Sequence, residues 1–398
     1  MHGPAREPRP AIRGFGPPSL AIAADRFGTY VGGGITLFWS DMLGDHNLVT
    51  MAQVNGRISD FAALVGYANR KRRLNWSIGA EQIPFIVGGI GSDCGYTTGA
   101  TCQQQIERFK QTNRDLTGFV AYPFNRSDRV EFSAGLEQIT FAHEIRTLTF
   151  NNNFPFDQIG DSTAHLPVHA NLNLGVTTAA AVHDNSYFGA TGPILGSRWR
   201  LEADPTFGSL QFVTALADYR RYITPLRPFT LAGRIMHVGR YGRDADNDIT
   251  HPNGILYPLF IGYPSFVRGY DLGSFAAGEC SNATSLLSCP VFEQLLGSKI
   301  LVGNIELRFP PFGLLGLGGG YYGILPIDAG IFYDAGVAWT GSQGAQLFGN
   351  GPRKIVSSTG VSFRMNLLGY AIGQMDIVHP FDRPQKNWMV RFSLTEGF

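Results

Sequence analysis

Along most of this chain apolar and polar residues alternate one by one, the period of a strand whose two faces meet different surroundings. From Leu301 to Phe309, residues Leu301, Gly303, Ile305, Leu307 and Phe309 share one face, and Val302, Asn304, Glu306 and Arg308 the other. From Ile327 to Val337, Ile327, Ala329, Ile331, Tyr333, Ala335 and Val337 form an apolar face opposite Asp328, Gly330, Phe332, Asp334 and Gly336. Val361, Phe363, Met365 and Leu367 oppose Ser362, Arg364 and Asn366 in the same way. Long helical periodicity is scarce. Apolar residues outward and polar or small ones inward suit strands that face lipid around a wet interior.

Turn chemistry divides the chain into sixteen candidate strands, beginning near Ser19, Phe27, Asn47, Asp60, Leu74, Gln103, Val130, Pro167, Arg198, Gln211, Phe229, Lys299, Ile324, Lys354, Tyr370 and Asn387. An even number lets an antiparallel sheet close and removes both edges. Tight connections are expected near Met42–Asp45, Asn69–Arg72, Asn125–Asp128, Leu226–Pro228, Pro310–Gly313 and Leu368–Gly369. Long ones are expected at 86–102, 151–166 and 242–298. Short turns on one side and long loops on the other belong to outer-membrane barrels. The predicted fold is therefore an all-β transmembrane antiparallel barrel over 19–398, behind a disordered or truncated segment 1–18. A β-propeller is the alternative, but it needs a recurring signature every ~40–50 residues, and none is found.

Composition agrees. Charged residues are 16% of the 398 residues, against about 25% in ordinary soluble proteins, and Gly (50) and aromatics (12%) are abundant. A net charge of +1 gives no electrostatic case for nucleic acid. No run reaches the ~18 apolar residues of a membrane helix, which alternating strands do not need. Met1–Pro18 lacks the apolar stretch of a signal peptide. Because a barrel must be exported, the chain reads as one missing its front end. Cys94 and Cys102, and Cys280 and Cys289, form two local pairs without zinc-site spacing. They read as loop-closing disulfides of an oxidising compartment, the alternative being four free thiols.

One loop stands out. Val267, Arg268, Gly269 and Tyr270 lie inside the longest connection. An Arg keeps its charge, so inside a barrel it requires a carboxylate. Asp334 and Glu306 face inward on their strands and are the candidates for the guanidinium to fork onto, with Phe332 packed alongside, the alternative being an exposed, solvated loop Arg. Gly269 would let the backbone turn and Tyr270 would anchor the tip. Asp244, Asp246, Asn247 and Asp248 offer either a calcium site or solvated loop acids. No Gly-x-Ser-x-Gly, His-Glu-x-x-His or phosphate-binding Gly loop is present, and the histidines are scattered, so no enzyme, cofactor or metal is expected. The short Ser19–Asp25 strand and the end Glu396-Gly397-Phe398 would meet with few ladder bonds. That seam either opens easily or simply frays.

These segments resemble the BamA/TamA-type bacterial surface-antigen barrels. The family's Val-Arg-Gly-Tyr motif of the sixth outer loop matches Val267–Tyr270. Its twelfth strand matches Asn304–Pro310 with Glu306 inward. Its thirteenth matches Phe332, Asp334 and Gly336. Val390, Phe392, Leu394 and Phe398 resemble the C-terminal insertion signal of outer-membrane proteins, with Glu396 departing from it. Tyr30–His46 is similar to barrels that follow a propeller or protease-like module. The resemblance implies a bacterial outer-membrane location, contact with its lipid, and protein insertion or translocation of unfolded clients by strand templating at the seam, which would open as a gate toward lipid. It also implies upstream POTRA or propeller domains, which eighteen residues cannot hold. A passive pore, or an anchor for such a module, is the second reading, and a barrel enzyme the third.

Overall fold

The structure, a computed structural model, describes residues 11–15, 19–25, 28–54, 60–94, 101–151, 157–247, 255–275, 277–280, 289–346, 351, 353–367, 369, 371–384 and 387–396. Two compact units divide the chain. One holds residues 1–122, 132–177 and 206–210, the other 123–131, 178–205 and 211–398.

The first unit is built from consecutive antiparallel strands. β1 (Ala11–Phe15) and β2 (Ser19–Asp25) lie along one edge of β3 (Gly28–Ser40), with Phe15 opposite Leu37 and Ser19 opposite Gly34. Part of the segment expected to be disordered is thus strand. Pro8, Pro10, Pro17 and Pro18 bracket it in the sequence, and such breakers hide a five-residue strand from a periodicity reading. β4 (His46–Val54), β5 (Phe61–Asn69), β6 (Asn75–Cys94) and β7 (Thr101–Pro123) follow, each paired with the one before. The β6–β7 ladder runs unbroken from Asn75 opposite Ala121 to Cys94 opposite Cys102. The long loop expected at 86–102 is therefore mostly strand. Gly88, Gly89 and Gly91 blur its alternation without interrupting its hydrogen bonds. Cys102 is disulfide-bonded. β8 (Asp128–Asn151) pairs with β9 (Gln158–His165), so most of the loop expected at 151–166 is strand too. β9 is polar and exposed almost throughout, and so it lacks an apolar face to announce it.

β10 (Leu172–Asp184) and β12 (Pro193–Gly208) have residues in both units, and β11 (Tyr187–Phe188) pairs with β12. The second unit continues with β13 (Phe212–Leu226) and β14 (Phe229–Tyr241). Residues 242–298 then form the long loop, which contains β15 (Leu259–Phe260), α1 (Pro290–Glu293) and β16 (Leu296–Gly297). β17 (Lys299–Phe309) pairs with β14. A connection carrying α2 (Pro311–Leu314) leads to β18 (Ile327–Trp339), followed by β19 (Val356–Leu367), β20 (Ala371–Pro380) and β21 (Met389–Glu396), all antiparallel. The tight turn expected at Pro310–Gly313 is instead this longer connection. The Tyr321 hydroxyl donates to the Pro228 carbonyl at 2.8 Å, and the Ala190 N–H donates to the Tyr322 hydroxyl at 2.8 Å, which ties the connection down.

The two faces of this sheet differ as the alternation requires. Ile235, Ile305, Ile331, Tyr333, Met365, Val390, Phe392 and Leu394 are exposed on one side. On the other, Val302, Glu306, Phe332, Asp334, Ser358, Ser362, Asp376 and Val378 are buried. The long loop brings its own apolar residues to that second side. Ile261, Val267, Tyr270, Phe292, Leu295 and Leu296 form one cluster with Met236, Ile300, Val302, Ala338 and Val356 of the strands. At about 1.5–3 kcal/mol for each large apolar side chain buried, this cluster is what keeps the loop on the sheet.

Candidate site beneath the long loop

Arg268 lies at the bottom of that loop with its side chain only 7% exposed, against an Asp334 carboxylate that is fully buried. Its Nε donates to Asp334 Oδ2 at 2.7 Å and its Nη2 to Asp334 Oδ1 at 2.9 Å, the fork geometry that fixes direction as well as distance. The Arg268 backbone N–H adds a third contact to Oδ2 at 3.3 Å. The guanidinium lies 3.3 Å from the centre of the Phe332 ring, so its face meets the π cloud while its edge meets the carboxylate. β-register explains the grouping. Asn304 stands opposite Asp334 and Glu306 opposite Phe332, so all four side chains project to one face. The Asn304 amide bridges strand and loop, donating to Asp334 Oδ1 at 2.8 Å and to the Phe266 carbonyl at 2.7 Å.

Glu306 does not take half of the fork. Its Oε2 stands 3.9 Å from Arg268 Nη2, beyond hydrogen-bond range. It accepts instead from Arg364 Nη2 at 2.9 Å, and its Oε1 lies 3.5 Å from Arg308 Nε. Both tines of the Arg268 fork go to Asp334. A third carboxylate, Asp376, lies 3.5 Å from Arg268 Nη1 and accepts both contacts of the Gln374 amide. Burial alone would pull the Arg268 guanidinium down. The Asp334 hydrogen bonds and the charges of Asp334, Glu306 and Asp376 outweigh it and hold the group above its ordinary value. The guanidinium therefore keeps its charge.

Gly269 has φ +88°, and a Cβ there would come 2.9 Å from Val378 Cγ1. Both the handedness and the closeness of approach call for glycine. Gly336 gives room from the strand side, since a Cβ there would reach Val267 Cγ2 at 2.8 Å. Tyr270 is fully buried. Its hydroxyl donates to the Ser357 carbonyl at 2.8 Å and accepts from the Asp382 N–H at 3.1 Å. Burial, the larger influence, pushes the phenol well above its usual value, so it remains a neutral donor.

Several partners escaped the sequence reading. Arg383 donates from Nη1 to the Gly269 carbonyl and Ser274 Oγ, both at 2.9 Å, and from Nε to Glu279 Oε2 at 3.0 Å. Arg353 Nη1 donates to the Glu293 and Leu296 carbonyls at 2.7 Å each. Arg391 Nη2 pairs with Asp271 Oδ1 at 2.8 Å. Asp376 alone carried a usable sign, because Ile372, Gln374, Asp376 and Val378 alternate onto one face. Beside the fork, a cavity of about 430 Å³ is lined by Arg220, Arg234, Arg268, Arg308 and Arg364 with Glu306.

The other candidates fall as follows. Cys280 and Cys289 form a disulfide in the long loop. Val390, Phe392 and Leu394 lie exposed on one face of β21, and Phe398 lies outside the described residues. Asp244 Oδ2 accepts the Gln211 N–H at 2.8 Å and Asp246 Oδ1 the Gly341 N–H at 3.0 Å, while Asp248 lies outside the described residues. Among the described residues no three acids, histidines or cysteines gather as a metal site would need.

No family model matches the sequence, and no curated protein matches it. Solved structures do match in shape. BamA from Haemophilus ducreyi, in a form lacking POTRA domains 1–3, is similar over 94% of this chain and 68% of its own, at TM-score 0.57 and 13% identity. CdiB from Acinetobacter baumannii is similar over 94% of this chain and 58% of its own, at 0.49 and 12%. CdiB from Escherichia coli is similar over 93% and 60%, at 0.47 and 12%. The chain shares its fold with BamA. The chain thus spans about three-fifths of each CdiB chain and about two-thirds of the BamA chain.

Proposed function

We propose that this chain is the membrane barrel of an outer-membrane protein insertase or translocator, acting on unfolded protein clients, with the Arg268–Asp334 fork as the lock that seats its long loop. The observation that carries the reading is the fork itself. On a fold shared with BamA, a buried guanidinium from the longest loop is clamped by the inward carboxylate of a strand. The cluster around Tyr270 supports it, because it makes the loop part of the folded body. In this role the loop braces the strands that a client pairs with, and no covalent chemistry is required.

The experiment is depletion of the protein in its source cells, followed by quantification of other barrels in the outer-membrane fraction. A fall in folded barrels or in one secreted client class supports the reading. Unchanged levels, together with a lost small-solute conductance, would overturn it in favour of a pore. The arginine-lined cavity beside the fork is the feature that a pore reading would use.

A further inference from the structure

The turn between β5 and β6 reads Arg70, Lys71, Arg72, Arg73. Four successive cations are unusual in a chain with 16% charged residues, and all four are exposed. Arg70, Lys71 and Arg72 make no ion pair among the described residues. Arg73 lies 4.9 Å from the centre of the Tyr122 ring. Like charges held in one short turn repel one another, so an outside counter-charge would relieve them.

The surroundings say which kind. Immediately beyond the turn the strands expose Leu74, Trp76, Ile78 and Val120, an apolar face with an aromatic at its end. Tyr67 packs on Trp76 at 5.4 Å between ring centres. Apolar wall, then aromatic ring, then cation is the order of a protein surface passing from hydrocarbon to headgroup. A cavity of about 590 Å³ opens beside the turn, walled by Trp39, Leu43, Leu48 and Tyr67, with Lys71 at its rim. Asp41 and Asp45 also line it. The Asp41 carboxylate is occupied by the His46 N–H at 3.1 Å, and the Arg70 N–H donates to the Asp45 carbonyl at 2.7 Å, which fixes the two turns together. The indole N–H of Trp39 has no hydrogen-bond partner among the described residues.

We propose that the Arg70–Arg73 turn and this cavity bind an anionic phospholipid of the bilayer. The phosphate is held by Lys71 and the flanking guanidiniums, and the glycerol and first methylenes lie against Leu43, Leu48 and Trp39. The inference rests on the membrane reading above.

The test uses the whole chain reconstituted in vesicles of phosphatidylethanolamine with and without phosphatidylglycerol, and native mass spectrometry of the lipid it retains. Wild type should retain phosphatidylglycerol over phosphatidylethanolamine by at least about tenfold, at ~1 kcal/mol for each basic residue at the surface. The variant R70Q/K71Q/R72Q/R73Q should insert equally well and fall toward parity. Arg243→Gln, an exposed cation elsewhere, should keep the preference. Insertion without any preference, or a preference unchanged in the fourfold variant, overturns this inference alone. Failure of every variant to insert overturns the membrane reading with it. Competition by soluble glycerol phosphate as strong as that by lipid would assign a free-phosphate site instead. Preferential capture of polyglutamate would assign an acidic protein partner, and either result rejects the lipid.

Discussion

Arg268 is the residue on which the long loop turns. Removing a buried partner leaves the other charge uncompensated, at a cost of about 3–5 kcal/mol. Both side chains are 7% exposed or less, so little solvent screening discounts that figure. Arg268→Ala should therefore speed proteolysis of the loop by at least tenfold in otherwise folded protein, measured as the rate of cleavage within 242–298. An unchanged rate would remove the fork from the list of what holds the loop. Arg268→Lys should fall between the two, since an ammonium keeps charge but cannot fork. The carboxylates should rank by geometry. Asp334→Asn removes the charge and one of two short contacts and should loosen the loop more than Asp376→Asn, whose oxygen stands at 3.5 Å. Equal effects in the same assay would show that summed charge matters more than the fork. Of this site, Asp334 was legible in the sequence as an inward carboxylate on an alternating strand. That it takes both contacts of the fork, and Glu306 neither, was not, because alternation gives the face of a side chain and not its reach toward a loop. Arg383 was not legible at all, since it lies in a connection with no period to place it.

At the scale of elements, the loop is held by its own apolar cluster as well as by the fork. Gly269→Ala combines a left-handed backbone with a 2.9 Å approach to Val378 Cγ1. It should loosen the loop although every charge stays in place, which separates backbone fit from electrostatics in the proteolysis assay. Within the same loop, Cys280–Cys289 closes a short ring. Opening it with Cys280→Ser and Cys289→Ser together should cost about 2.5 kcal/mol, read from the shift of the thermal or urea midpoint. No shift would mean the cluster around Phe292 holds α1 without it. Strands were legible wherever one face was apolar. β9 and the far half of β6 were not, because β9 is mostly polar and the end of β6 is broken up by glycines, and their order comes from the backbone ladder. The same polar character fits strand ends that rise beyond the ~9–11 residues needed to cross the bilayer.

For the whole molecule, low charge and alternation point one way, and the similarity in fold to BamA agrees at 13% identity. The most direct measurement is the rate at which a urea-unfolded outer-membrane barrel inserts into vesicles containing this protein. Vesicles with wild type should insert the client at least about tenfold faster than empty ones, and vesicles with the folded Arg268→Ala protein should lose most of that gain. Equal rates with wild-type and empty vesicles would contradict an insertase and leave a barrel whose loop closes a passive pore.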